Sequence, residues 1–158
     1  MRVCLIALTT LFITGLAGCQ ESSVQDQVVT DFDEKEMDKA IAQAKSTIEK
    51  FIAELKSPTG EDHAVKVAIT DDDQTEYFWM TGVTFDGSKF TGTINNEPMM
   101  VDNVKEGQSW SVEKADAVDW MYIHDGKMYG NRTMIPLLPS MSKDEADLFR
   151  EMLADPTL

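Results

Sequence analysis

The hydrophobic period of this chain changes once, and that change decides the class of fold open to it. Met37, Ala40, Ile41, Ala44, Ile48, Phe51, Ile52 and Leu55 recur at helical spacing, while Lys35, Lys39, Lys45, Glu49, Lys50 and Glu54 lie off that stripe. Asp33 is a candidate N-cap with Glu36 at capping-box spacing, and Ser57-Pro58-Thr59-Gly60 ends the pattern. One long helix from Asp33 to Lys56 is expected. From His63 the period is two: Val65, Val67 and Ile69 alternate with Lys66 and Ala68, which predicts a half-buried strand.

Further strands follow. Glu76 to Phe85 and Lys89 to Asn95 flank Asp86-Gly87, a hairpin signal, and Gly92 suggests a bulge or a close backbone approach. Asn95-Asn96-Glu97-Pro98 reads as a loop, and a strand runs through Ser109 to Val112. The stretch from Asp119 to Thr133 organises the domain: a strand from Val118 to Ile123, a turn at Asp125-Gly126, and a second short strand ending at Gly130-Asn131. Pro136 and Pro139 bracket an irregular stretch. A last helix starts at Ser142, with Glu145 completing a second capping box, and is expected to bury Leu148, Phe149, Met152 and Leu153. The order predicts an α+β fold: a long N-terminal helix packed on a curved antiparallel sheet of five or six strands, with a short C-terminal helix. An open sheet and a partly closed barrel both fit.

The folded domain is expected over residues 33–154. Before it, Arg2 precedes an apolar run from Val3 to Thr14 that is too short to span a bilayer and has the layout of a secretory signal. Leu16-Ala17-Gly18-Cys19 resembles the lipobox of bacterial lipoproteins. The resemblance implies a signal peptide over 1–18, a lipidated Cys19, and a flexible tether over 19–32. Gln20 is not the Asp that by similarity retains such proteins in the inner membrane, so the periplasmic face of the outer membrane is expected. With Cys4 removed and Cys19 acylated, no thiol remains for catalysis, a disulfide or a metal site.

Loss of Arg2 leaves 13 basic against 28 acidic side chains, a net charge of −15. Such a surface repels nucleic acid and attracts a cationic protein or ligand, although acidity also serves solubility. Chemistry is harder to find. Asp119 and His124 are five apart, so on a regular strand they face opposite ways and cannot share the hydrogen bond that a general base needs. Asp71-Asp72-Asp73 with Glu76 is rich in oxygen ligands but lacks EF-hand spacing, and reads as a solvated turn. No nucleophile elbow or phosphate loop occurs, and no cofactor is expected. The aromatic residues on the strands read as packing, with a binding patch as the other possibility. Its candidate residues are Asn95, Asn96, Asp119, Trp120, Tyr122, Asn131 and Arg132. Within it Asp119 would brace the strand's beginning by accepting backbone N–H groups from the 95–98 or 130–132 loops.

Five motifs occur in order: Glu76-x-Phe78-Trp79, Gly92-x-Ile94-Asn95-Asn96-x-Pro98, Val104-Lys105-x-Gly107, Asp119-Trp120-Met121-Tyr122 and Gly126-Lys127-Met128-x-Gly130-Asn131. They resemble the YegJ-like family of small bacterial proteins, a domain of unknown function. The resemblance implies one compact domain and supplies no catalytic residues. The resulting expectation is a lipid-anchored periplasmic binding module without enzymatic activity, touching its partner through the 95–98 and 119–132 surface. The alternative is an acidic inhibitor or immunity-type protein that masks a basic hydrolase.

Overall fold

The computed structural model describes residues 2–3, 5–7, 27–29 and 32–157. The lipobox, Cys19 and most of the tether lie outside the described residues. Near the N-terminus, β1 (Arg2–Val3) runs parallel to the start of β5, and β2 (Leu5–Ala7) pairs with β3 (Gln27–Val29).

The helical stripe folds as two helices, α1 (Glu34–Ser46) and α2 (Ile48–Lys56), rather than the single helix expected. Asp33 caps α1, its carboxylate accepting from Lys35 N at 2.9 Å and Glu36 N at 3.2 Å. The break at Thr47 has two causes, one local and one distant in sequence. The Thr47 hydroxyl donates back to Gln43 O at 2.8 Å and Ala44 O at 3.1 Å, a bond that competes with the helical ladder. Trp120 Nε1 also donates to Ala44 O at 3.0 Å, the carbonyl that Ile48 N would take in an unbroken helix.

Six strands form the main antiparallel sheet: β4 (Glu61–Asp71), β5 (Gln74–Phe85), β6 (Lys89–Ile94), β7 (Ser109–Glu113), β8 (Asp119–His124) and β9 (Lys127–Gly130). Their order is β7-β6-β5-β4-β8-β9, an open sheet with edges at β7 and β9. The β8–β9 turn is tight because Asp125 (φ 49°) and Gly126 (φ 70°) both adopt the left-handed region. Val65, Val67, Ile69, Phe78, Met80, Phe90, Ile94 and Trp120 meet Ala44, Ile48, Phe51 and Ile52 in the main core. Full burial of Phe51 alone contributes about 1.5–3 kcal/mol.

The other face is covered as well. After β9 the chain forms a 3-10 helix, η2 (Arg132–Ser140), where an irregular stretch was expected, and Met134, Leu137 and Leu138 are buried there. Met37 packs with Leu137, and Phe32 and Tyr77 lie against the pair. This cover corrects the reading of β4: Lys66, on the polar side of the alternation, is only 1% exposed. The closing helix α3 (Lys143–Met152) has the full Ser142–Glu145 capping box. It buries Ala146, and Leu153 follows it into the core, but Leu148 is 52% exposed and does not join the packing.

Candidate functional site

The sheet divides at one end, and the division makes a cleft. β4 and β5 pair from Asp71↔Gln74 as far as Ala64↔Thr81 and then part, β4 continuing with β8 and β5 with β6. Both strands change register there: β4 between Glu61 and Ala64, and β5 between Thr81 and Thr84. Asp62 (φ 54°) and Gly82 (φ 60°) take the left-handed conformations that these bulges require. Gly92 lies opposite the second bulge, where an added Cβ would stand 2.8 Å from Thr81 O and 3.2 Å from Met80 Cβ. The close backbone approach suggested for Gly92 is present, while the bulge lies across from it on β5 and not in its own strand.

The bulges bring Glu61, Asp62, His63 and Ala64 onto one cleft, although consecutive residues of a regular strand alternate faces. Thr81, Gly82 and Val83 do the same from β5. The cleft measures about 790 Å³, within the range of small-ligand sites. Trp79, Met121, Ile123, Met128 and Met152 supply apolar walls, and Asn95 adds an amide. No lysine or arginine lines it among the described residues.

Behind Trp79 lies a buried polar network. Lys66 and Asp119 occupy paired positions on β4 and β8, joined through Thr133 of η2 rather than by direct contact. Lys66 Nζ donates to Thr133 Oγ1 at 2.8 Å and sits 4.8 Å from the Trp79 ring centroid, a cation–π distance. Thr133 Oγ1 donates to Asp119 Oδ2 at 2.8 Å, Thr133 N donates to the same oxygen at 2.7 Å, and Trp120 N donates to Oδ1 at 2.8 Å. Burial lowers Lys66 from 10.5 to about 8, with Asp119 opposing the shift. Burial likewise pushes the Asp119 carboxyl up, while Lys66 and the three donors pull it back. The groups are enclosed, and their hydrogen bonds fasten η2 to the sheet.

Glu54, His63 and His124 near the cleft are also committed to structure, whereas Glu61 and Asp62 are exposed on it. Glu54 accepts from Thr59 N at 2.6 Å, Gly60 N at 2.7 Å and Thr59 Oγ1 at 3.0 Å, with His63 Nε2 at 3.3 Å. The Gly60 bond leads in lowering Glu54 to about 2 against the opposing effect of burial. His63 stacks on Tyr122 at 5.6 Å, and Tyr122 stacks on Tyr129 at 5.0 Å. His124 Nδ1 lies 2.8 Å from Thr59 O. No cluster of three or more His, Cys, Asp and Glu residues that could hold a metal occurs among the described residues.

The seven residues read as a surface patch are not displayed together. Asn96, Asp119, Trp120 and Asn131 are buried, and Asn95, Tyr122 and Arg132 are partly exposed. Asp119 does accept backbone N–H groups, from Trp120 and Thr133, but neither donor belongs to the 95–98 or the 130–132 loop from which they were expected. Asn96 Oδ1 accepts from Trp79 N at 3.2 Å, and Arg132 pairs with Asp155 at 2.9 Å. Of the seven, Asn95 lines the cleft. Glu76 was assigned to a solvated acidic turn, yet it is wholly buried and accepts from Met99, Met100 and Val101 backbone N–H groups. The sequence signals for the cleft were Gly82 and Gly92, of which only Gly92 prompted a bulge.

The family described as an uncharacterized protein conserved in bacteria, DUF2314, matches residues 34–154. The uncharacterized protein YegJ of Escherichia coli (strain K12) is 42% identical over 154 residues, covering 97% of this chain and 99% of that protein. A putative ankyrin repeat protein of Neisseria meningitidis serogroup B is 36% identical over 70 residues, 44% of this chain and 28% of its own length. No solved structure matches the chain. The family match spans both helices, the whole six-stranded sheet and α3, and with the near full-length likeness to YegJ it establishes that the chain belongs to the DUF2314 family of uncharacterized bacterial proteins.

Proposed function

We propose that this protein is a non-enzymatic binding module, lipid-anchored through Cys19 on the periplasmic face of the outer membrane, and that its ligand occupies the cleft where β4 and β5 part. The carrying observation is that cleft: about 790 Å³ of largely apolar space opened by two opposed bulges. Of the titratable groups beside it, Glu54 and His63 are tied to the α2–β4 connection, while Glu61 and Asp62 are exposed carboxylates in its lining. These carboxylates serve this reading as charge at the cleft, since an acid–base pair would need a donor and an acceptor within hydrogen-bond reach of each other. The test is capture from envelope extract by the full chain and by Thr81→Trp, which places an indole in the cleft. A partner retained by wild type and lost by Thr81→Trp supports the reading; equal capture by both removes the cleft from it.

A second reading rests on the net charge of −15 expected after loss of the leader. An acidic inhibitor masking a basic hydrolase would capture one enzyme through its surface. That capture would fall steeply with salt and be indifferent to Thr81→Trp.

A further inference from the structure

Resting on the cleft as the binding seat, we infer that its occupant is a cationic, apolar peptide segment: a Met- or Leu-type side chain seated in the cleft with lysine or arginine flanking it. Two properties of the cleft carry this. The apolar walls include Met121, Met128 and Met152, unbranched and polarizable side chains that reshape around an irregular apolar guest. The charge at the opening is of one sign. Glu61 and Asp62 are both exposed and both line the cleft, because the β4 bulge turns consecutive residues toward the same space.

The basic groups with known contacts nearby are held elsewhere. Lys127, at the start of β9, donates to Glu151 O at 2.6 Å, and Arg150 of α3 pairs with Asp147 at 2.9 Å. His63, the one basic side chain in the lining among the described residues, lies against Glu54. An anionic guest therefore meets two carboxylates with no lining lysine or arginine to offset them, whereas a cationic one gains from both. The apolar walls select against a purely polar cation, which would lose hydration without a partner in the cleft. Apolar body and positive flank are thus both required.

Fluorescence anisotropy with three labelled synthetic peptides tests this on the full chain in detergent. One peptide has a Leu-Met centre flanked by lysines, the second has the same centre flanked by glutamates, and the third has lysines around a Ser-Gly centre. The first should bind at least about tenfold more tightly than either of the others. Glu61→Gln with Asp62→Asn should weaken it by about tenfold and flatten its salt dependence, Asn being tolerant of the left-handed conformation at position 62. Thr81→Trp should abolish binding. Equal binding of the glutamate-flanked peptide, or full affinity in the double variant, overturns the charge requirement while Thr81→Trp sensitivity preserves the cleft as the seat. Equal binding of the Ser-Gly peptide overturns the apolar requirement. Binding unaffected by Thr81→Trp, or no binding by any of the three, overturns the peptide proposal; in the second case, envelope capture still sensitive to Thr81→Trp would leave the cleft reading standing.

Discussion

Thr133 connects two charges that the fold keeps apart. Its hydroxyl accepts from Lys66 and donates to Asp119, so one side chain serves both a buried ammonium and a buried carboxyl. Asp119→Asn keeps the shape but replaces one acceptor oxygen with a donor. We predict a loss of about 1–3 kcal/mol in urea denaturation. Lys66→Met should cost more, about 3–5 kcal/mol, because it leaves Asp119 without its countercharge. The double variant should cost less than the sum of the two. An unchanged urea midpoint for Asp119→Asn would remove it as a brace. The role of Asp119 was legible because a carboxylate at a strand start beside a turn has backbone donors within reach. Lys66 was not legible: alternation assigns it to the polar face, and nothing local announces that η2, far along the chain, covers that face. Glu76 escaped for a related reason, since its partners Met99 to Val101 belong to a loop with no periodic signal of its own.

At the scale of elements, the helical stripe was readable because its burial follows the 3.6-residue period. Met37, Ala40, Ala44, Ile48, Phe51 and Ile52 are all buried. Phe51→Ala should therefore cost about 3–5 kcal/mol, read by urea denaturation; a loss under about 1 kcal/mol would mean that this face contributes little packing. The break at Thr47 was hidden because the indole that takes Ala44 O comes from Trp120, 76 residues away. The end of α2 offers a pH prediction. Glu54, lowered to about 2 from 4.5 chiefly by the Gly60 N–H, is ionised in the folded state at acidities where the unfolded chain is protonated. Its contribution is complete above pH 4.5 and is lost as pH falls from there toward 2. Glu54→Gln should lower stability at pH 7 by about 1–2 kcal/mol, allowing for solvent screening, and the difference from wild type should close by about pH 2. A difference that persists unchanged at pH 2.5 would mean that Glu54 acts through its shape and not its charge.

For the whole molecule, two periods and their order sufficed for the α+β class, while the choice between an open sheet and a barrel depended on which strands met at the edges. The cleft depended on where β4 and β5 separate, a property of two registers that no single strand reveals. Under the proposed lipid anchor, the N-terminal segment would hold the molecule in the cell. Two or more acyl chains on Cys19 would give durable membrane attachment, each buried methylene adding about 0.8 kcal/mol. No helix among the described residues is long and apolar enough to cross a membrane. Cys19→Ser removes the sulfur on which the proposed thioether would form and lies outside the folded domain. The variant should leave the membrane pellet or persist as the uncleaved precursor, and in either case should lose the acyl mass from its N-terminal peptide. Membrane fractionation with mass spectrometry reads both outcomes: a Cys19→Ser protein in the pellet at the mature wild-type mass would mean that another part of the chain holds it there.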